Sequence, residues 1–162
     1  MKSLSPIKIV LMLLLTVALA ACSTGTTSDT AASVTSTPPS IKFNLNTASA
    51  SDFQTIPNVG SRMTREFLEY RPYTSLAQFR REMGKYVEAA QIAEYEKYVF
   101  VPVDMNAADA DTLQQLPGVD STIAAELIAG RPYATLDDFA AQLAKQLNSE
   151  QLATAKNYLV AP

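Results

Sequence analysis

Cys22 is the only cysteine in the chain, and its surroundings point to one particular reaction. It follows Leu19-Ala20-Ala21, so that the four residues look like the lipobox that lipoprotein signal peptidase cleaves. After cleavage Cys22 would begin the mature chain and carry the acyl groups. The alternative is an ordinary small-residue cleavage site followed by an incidental cysteine.

The segment in front of this cysteine fits an export signal. Lys2 and Lys8 precede an almost purely apolar run from Ile9 to Ala21. At about a dozen residues, the run is shorter than the roughly 20 that a membrane-spanning helix needs. We therefore expect residues 1–21 to be a lipoprotein signal peptide, and the lipid on Cys22 to hold the protein on a membrane.

The remaining residue types offer little for catalysis. The chain contains no histidine, no nucleophile lies beside a base, and no Cys/His spacing is typical of a zinc site. Asp109, Asp111, Asp137 and Asp138 could suggest cation binding, but they lack the spacing of a calcium loop, which favours a solvated acidic face. We therefore expect a protein that is not an enzyme and that binds no metal and no cofactor.

Residues 22–40 are expected to form a tether. From Ser23 to Ser40 the chain is mostly Ser, Thr, Ala and Pro, with a single charge at Asp29. Such a segment cannot bury enough apolar surface to offset the entropy of ordering, so we expect disorder. Ser23 resembles the outer-membrane sorting signal of Gram-negative lipoproteins, which implies the periplasmic face of the outer membrane in such a cell. In another cell type the exported protein would lie on the outer face of the plasma membrane.

Residues 43–162 are a tandem repeat. Phe43–Pro102 aligns with Val103–Pro162 without gaps, and Arg71-Pro72-Tyr73 falls on Arg131-Pro132-Tyr133. Further identical pairs are Asn46/Asn106, Ala48/Ala108, Pro57/Pro117, Val59/Val119, Ser61/Ser121, Leu76/Leu136, Phe79/Phe139, Lys85/Lys145 and Tyr98/Tyr158. Duplication accounts for this agreement, and we place one domain at 41–102 and a second at 103–162.

Each copy is predicted to contain four short helices, so the predicted fold class is all-α. Asn46, and Asn106 in the second copy, are expected to cap the first helix. A break at Pro57–Gly60 precedes the second helix, which Pro72 ends. Thr74 or Ser75 would cap a third helix, and a turn at Gly84-Lys85 would lead to a fourth over roughly 88–97. The expected core residues are Phe53, Ile56, Met63, Phe67, Leu68, Leu76, Phe79, Met83, Ile92 and Tyr95, then Leu113, Leu116, Ile123, Leu127, Ile128, Leu136, Phe139 and Leu143.

The segments around these turns resemble a known family. Asn44–Ala48 and Ile56–Ser61, followed by an arginine-containing helix, are similar to the helix-hairpin-helix domain of the ComEA-like competence DNA receptors, and Asp104–Ala108 and Leu116–Val119 repeat the pattern. The resemblance implies two tandem helix-hairpin-helix domains that hold a DNA phosphate without reading sequence. Backbone amides and the dipole at the start of the following helix would favour the anion, and arginines would add counterion release. The candidate DNA-binding residues are Asn58, Val59, Gly60, Ser61, Arg62 and Arg65.

The turns depart from the apolar-Gly-apolar-Gly pattern of that family. None of Asn58-Val59-Gly60, Gly84-Lys85-Tyr86, Gly118-Val119-Asp120 and Ala144-Lys145-Gln146 keeps both glycines. Asn58 is the mildest change, since Asn tolerates a left-handed φ. In the degenerate second-copy hairpin, formed by Gly118, Val119, Asp120 and Ser121, the aspartate is expected to occupy the helix amides itself and to repel a phosphate.

The two copies differ in net charge. Residues 41–103 carry eight Lys or Arg against seven Asp or Glu, whereas 104–162 carry three against eight. DNA-binding domains usually show a basic surface, and the chain as a whole, with a formal net charge of −3, does not. If the protein contacts DNA, we expect the first copy to do so.

A second helix-hairpin-helix protein that this chain resembles in one segment binds protein instead of DNA. The segments Pro72–Leu76 and Pro132–Leu136 are similar to a Pro-Tyr or Pro-Phe segment in the helix-hairpin-helix domain of the small extrinsic luminal subunit of photosystem II. The fold therefore does not by itself decide the function.

Several candidate residues have a simpler structural interpretation. Arg62 and Arg65 could pair with Glu66 and Glu69 at i,i+4 on a solvated helix face. Arg71 and Arg131 could be helix C-terminal cations that pack against the adjacent Pro-Tyr segment. The tyrosines Tyr70, Tyr73, Tyr86, Tyr95 and Tyr98 divide between core positions and a possible interface.

Two functions remain open at this point. The first is a lipid-anchored envelope module that binds double-stranded DNA weakly and without sequence preference through its first copy. The second is a protein–protein interaction or structural module of the cell envelope with no DNA binding, which the altered turns and the acidic second copy favour.

Overall fold

The computed structural model describes residues 42–159, and these form a mostly helical compact unit. The predicted signal peptide, Cys22 and the linker lie outside the described residues. The elements in chain order are β1 (Phe43–Asn44), α1 (Ala50–Gln54), α2 (Ser61–Glu69), α3 (Leu76–Met83), α4 (Ala89–Tyr95), β2 (Val99–Phe100), α5 (Ala110–Leu113), α6 (Ser121–Ala129), α7 (Leu136–Leu143) and α8 (Ser149–Lys156). The prediction of a helical fold class is confirmed. Within 42–159 no helix is long and apolar enough to cross a membrane.

The two halves of the described chain repeat the same order of elements. Helices α1–α4 recur as α5–α8, with matching starts at Ser61 and Ser121 and at Leu76 and Leu136. In the first half the ends are joined by a parallel pair of strands, in which Phe43 lies opposite Val99. In the second half a single parallel bridge between Val103 and Leu159 takes this place. The sequence did not predict this pairing of the segment after α4 with the start of the repeat.

Each half has its own hydrophobic core. In the first, the ring of Phe67 makes edge-to-face contacts with Phe53, Phe79 and Tyr95, with centroid distances of 5.1, 5.6 and 5.4 Å. Each such pair contributes about 0.5–1.5 kcal/mol beyond the area that it buries. In the second half Leu127 stands at the position of Phe67, so that core is mainly aliphatic.

The prediction that Ile128 belongs to the core of the second half is wrong. Ile128 is 37% exposed, whereas Ala124 and Leu127 are almost fully buried. Helix α6 is apolar on several faces, so its periodicity did not specify which face packs inward. Leu68, Ile123 and Leu136 are only partly buried at the edges of their cores.

The two halves contact each other through α3 and α5. The backbone N–H of Leu76 donates to Oγ1 of the fully buried Thr112 over 3.0 Å. Next to this bond, Arg80 binds both Glu96 and Asp111, at 2.7 and 2.8 Å. A buried backbone donor that lacks such an acceptor is costly, so Thr112 ties the halves together.

The expected caps of the first helix in each half are wrong. Ser49 caps α1 and Asp109 caps α5. Asn46 instead accepts from the backbone N–H of Tyr73 at 2.7 Å and donates to its carbonyl at 2.9 Å. Asn106 makes the same two bonds with Tyr133. These asparagines therefore hold the Arg-Pro-Tyr segment, because an amide side chain can donate and accept at once.

Arg71 and Arg131 are structural, but they do not act at a helix end. Arg71 donates to the carbonyl oxygens of Leu45 and Ala48, at 2.5 and 2.6 Å. Arg131 donates to the corresponding carbonyls in the second half, at 2.9 and 2.6 Å. Each arginine thus provides hydrogen-bond donors for backbone carbonyl groups of the loop that precedes the first helix of its half. This shared role explains why the arginine recurs in both halves. Both Arg-Pro bonds are cis.

Candidate nucleic-acid interface

The turn before α2 has an asparagine, Asn58, where the turn before α6 has a glycine, Gly118. Asn58 has a φ of 63° and Gly118 a φ of 82°, both in the left-handed region. Asn adopts this conformation more readily than most residues. A Cβ at Gly118 would lie 2.5 Å from the end of the Gln151 side chain, which would have to move, and the positive φ itself favours glycine there. The turn shape is therefore preserved in both halves despite the altered sequence.

Helix α2 begins without a side-chain cap. Its N-cap is Gly60, in extended conformation, and no side chain accepts from the first-turn amides, which belong to Ser61–Met63. These N–H groups have no acceptor within an α-helix. A Cβ at Gly60 would meet nothing within 4 Å, so the position from which a capping side chain would extend is open. The start of α2 can therefore accept an anion.

The equivalent helix start in the second half is filled. Asp120 is the N-cap of α6, and its carboxylate accepts from the N–H groups of Thr122 and Ile123, both at 2.9 Å. The carboxylate occupies the amides and carries a negative charge that repels a second anion. The capping role expected for Asp120 is confirmed. The two halves thus differ at the helix start that follows the first turn of each repeat.

Most other helices begin with a side-chain cap, unlike α2. Side chains cap α1, α3, α5, α7 and α8, through Ser49, Ser75, Asp109, Thr135 and Asn148. Among the helices of residues 42–159, only α2 and α4 begin without a side-chain cap, and both lie in the first half. Helix α4 has seven residues, and its N-cap is Glu88, whose charge disfavours an anion. We therefore restrict the candidate site to the start of α2.

The two candidate arginines are exposed and do not form the expected i,i+4 pairs. The guanidinium of Arg62 lies 5.7 Å from the centroid of the Tyr86 ring. Arg65, whose side chain is 69% exposed, approaches the carboxylate of its neighbour Glu66 at 3.4 Å. At this length the contact is longer than an ordinary N–H···O hydrogen bond, and it leaves most of the Arg65 side chain exposed. Both arginines therefore remain able to contact a ligand.

A connected group of cations and tyrosines runs along α2, from Arg62 near its start to the C-cap Tyr70, and continues into the turn after α3. The Tyr70 and Tyr86 hydroxyls are hydrogen-bonded at 2.7 Å, and the Lys85 ammonium lies 4.7 Å from the Tyr70 ring centroid. Lys85 and Arg81 both pair with Glu82. We call this group the basic–tyrosine surface, and its members are Arg62, Arg65, Tyr70, Arg81, Lys85 and Tyr86.

Hydrogen bonds in this surface favour the ionised forms of Glu82 and Lys85 and the neutral form of Tyr86. The hydrogen bond from Lys85 lowers the pKa of Glu82, and the same bond raises the pKa of Lys85. Hydrogen bonds with Tyr70 and with Glu66 raise the pKa of Tyr86, so its phenol stays neutral. The surface then carries four cations against two carboxylates, those of Glu66 and Glu82.

The second half lacks this surface. The equivalent positions, in order, are Thr122, Ala125, Gly130, Ala141, Lys145 and Gln146, so one cation and no tyrosine remain. Gln146 donates to Glu126 at 2.8 Å, in the place where Tyr86 contacts Glu66. The packing of the turn is therefore kept, while the charge and the aromatic rings are lost.

Most acidic residues of the second half accept hydrogen bonds or form ion pairs that stabilise the fold. Asp109 and Asp120 cap helices, and Asp138 completes the capping box of α7. Asp104 accepts from the backbone N–H groups of Asn106 and Ala107, and Asp111 pairs with Arg80. Within 42–159 no three His, Cys, Asp or Glu residues come together as a metal site would require. The acidity of this half therefore follows largely from how its helices begin.

Comparisons with known proteins identify no relative: no family model, no curated protein and no solved structure matches the chain.

The sequence pointed to only part of this surface. Arg62 and Arg65 follow the turn directly and were candidate DNA-binding residues. Tyr70 and Tyr86 were considered only for a protein interface, and Arg81 and Lys85 were not among the candidate DNA-binding residues. The alignment of the repeats held a signal, because Tyr70, Arg81 and Tyr86 are replaced by Gly130, Ala141 and Gln146. At these positions only the first copy has an aromatic or basic residue. Such differences between the copies indicate where their surfaces differ.

Proposed function

We propose that this chain is a non-enzymatic, lipid-anchored binding protein of the cell envelope whose first repeat binds duplex DNA through the phosphate backbone. In finer detail, we propose two tandem helix-hairpin-helix domains that resemble those of the ComEA-like receptors. The observation that carries the proposal is the open start of α2 beside Arg62 and Arg65, where the second repeat has the Asp120 cap.

The mechanism follows from the chemistry of these groups. A phosphate oxygen would accept from the free amides of α2, and the helix dipole would favour its charge. Arg62 and Arg65 would neutralise adjacent phosphates and release counterions, which is the main source of sequence-independent affinity. Phosphate contacts position a protein on a duplex but read no bases. With few cations involved, the affinity would be weak and would depend on salt.

Binding to DNA should be measured with the full chain in a non-ionic detergent, by fluorescence anisotropy of a labelled duplex over a range of salt concentrations. The test variant is Arg62→Gln/Arg65→Gln. The matched control is Thr122→Glu/Ala125→Glu, which lowers the net charge by the same amount at the equivalent positions of the second repeat. Each lost phosphate contact should lower the slope of log K against log salt by about 0.9.

The outcomes separate the two functions. Loss of salt-dependent binding in the arginine variant, with binding kept in the control, supports the proposal. Equal losses in both variants would mean that only net charge matters, and would contradict a site on the first repeat. No binding by the unmodified chain at low salt would discard DNA, and an envelope protein would then be the partner to search for.

A further inference from the structure

The first repeat contains a buried hydroxyl with no hydrogen-bond partner. Tyr73 is 1% exposed, and its phenolic oxygen has neither a donor nor an acceptor nearby. In the second repeat the equivalent Tyr133 donates to the carbonyl of Leu127 at 2.9 Å. Buried polar groups are nearly always paired, so the difference requires a cause.

Tyr70 supplies that cause. Its counterpart is Gly130, and a Cβ built there would lie 2.4 Å from the Tyr133 hydroxyl, which is too close for both atoms. A residue with a side chain at this position therefore prevents the tyrosine hydroxyl from reaching the carbonyl. The first repeat loses a hydrogen bond because it carries Tyr70.

Tyr70 makes contacts that the second repeat lacks. Its hydroxyl bonds to that of Tyr86 at 2.7 Å, and the Lys85 ammonium lies over its ring. The Tyr86 ring in turn lies against the guanidinium of Arg62. The tyrosine pair thus joins a cation at the start of α2 to a cation in the turn after α3. Proteins accept a local cost of this kind mainly where function requires it.

We propose that Tyr70 and Tyr86 are positioning residues that hold Arg62 and Lys85 in a fixed arrangement, so that both cations contact phosphates of one nucleic-acid backbone. This inference rests on the proposed DNA binding. It adds Lys85 as a further phosphate-binding cation, and the Tyr70–Tyr86 pair as the group that holds the cations in place. A cation held against a ring loses less freedom when it binds, and so contributes more affinity than a mobile one.

The test is the salt dependence of duplex binding by the full chain carrying Tyr86→Leu. This substitution changes no charge, yet the slope of log K against log salt should fall by about 0.9, as if one cation had been removed. Affinity should fall about fivefold, the size expected for one exposed cation–π contact. In an Arg62→Gln background, Tyr86→Leu should then change the slope little, since the cation that it positions is already gone.

Two further variants keep the test decisive. Gln146→Leu makes the equivalent change in the second repeat and should leave both affinity and slope unaltered. Tyr70→Phe removes only one hydroxyl of the pair, keeps the packed ring, and should weaken binding about twofold, a loss smaller than that of a whole cation–π contact. Thermal unfolding by circular dichroism checks that each variant is folded.

The results would overturn the inference in distinguishable ways. An unchanged slope in Tyr86→Leu, or unaltered affinity in Tyr70→Phe, would show that the pair does not position the cations, while DNA binding itself would stand. No binding by the unmodified chain would overturn both the proposed function and this inference.

Discussion

Replacing Gly60 by aspartate should stabilise the protein and at the same time abolish most DNA binding. Gly60 has φ −81° and ψ 178°, and the equivalent Asp120 has φ −95° and ψ −175°. The backbone at Gly60 therefore already has the conformation in which an aspartate caps α6. Nothing lies within 4 Å of the new Cβ. The new carboxylate should thus bond to the amides of Arg62 and Met63.

The stability gain can be estimated from three contributions. An aspartate cap is better than glycine by a few tenths of a kcal/mol, and its charge at the helix start contributes about 0.3–1 kcal/mol. Loss of glycine freedom in the unfolded chain contributes about 0.4–1 kcal/mol. We expect a net stabilisation of about 1 kcal/mol, which corresponds to a rise in Tm of about 4 °C.

The loss of binding follows from the same bonds. A hydrogen bond to a charged group contributes about 1.5–3 kcal/mol, and 1.4 kcal/mol is a factor of ten in affinity. Because the carboxylate occupies the amides and repels phosphate, the affinity of Gly60→Asp for duplex DNA should fall about 10- to 100-fold. Opposite changes in stability and binding exclude misfolding as the reason for the loss.

Two controls separate charge from capping. Ser121→Asp adds the same charge in the second repeat and should bind DNA nearly as the unmodified chain does. Gly60→Asn fills the amides without adding charge and should give an intermediate loss. Thermal unfolding and fluorescence anisotropy give the two quantities for each variant. Undiminished DNA binding by Gly60→Asp would refute the view that the α2 amides hold a phosphate.

Three further predictions concern the fold. Thr112→Val preserves shape but leaves a buried backbone N–H of α3 without an acceptor, so urea unfolding should show a loss of about 1–3 kcal/mol. Gly130→Ala should displace the Tyr133 hydroxyl at a cost of about 1–2 kcal/mol, offset in part by the about 0.4–1 kcal/mol that the loss of glycine freedom contributes, so urea unfolding should show a small net loss of stability; a net gain in stability would contradict the steric explanation for the unpaired hydroxyl in the first repeat. The pKa of Glu82 is lowered below its ordinary 4.5 by Lys85, so its contribution is present above that pH and lost as pH falls. Glu82→Gln should therefore lose less stability than the unmodified chain on acidification below about pH 4.5, as acid unfolding would reveal.

The sequence predicted the local structure well because local signals determine it. Pro57 and Pro72 delimit α2, as expected of residues that break a helix. Apolar spacing placed Phe53 and Phe67 in the core, and both are fully buried. The gapless alignment then gave the same order of helices in the second repeat.

The sequence was less informative where tertiary contacts decide. Asn46 has the residue type of a helix cap, but its amide pairs with the backbone of Tyr73, 27 residues away. The Tyr70–Tyr86 pair depends on how the turn after α3 packs on α2, and no spacing rule predicts that approach. By contrast, the Asp120 cap was predictable, because a cap and its amides are close in sequence.

The most direct test of the central claim is the salt dependence of duplex DNA binding by the full chain, with Arg62→Gln/Arg65→Gln beside Thr122→Glu/Ala125→Glu. The account predicts binding that weakens steeply with salt, that is largely lost in the arginine variant, and that persists in the control of equal charge change. No binding at low salt, or equal losses in the two variants, would contradict a phosphate-binding site on the first repeat.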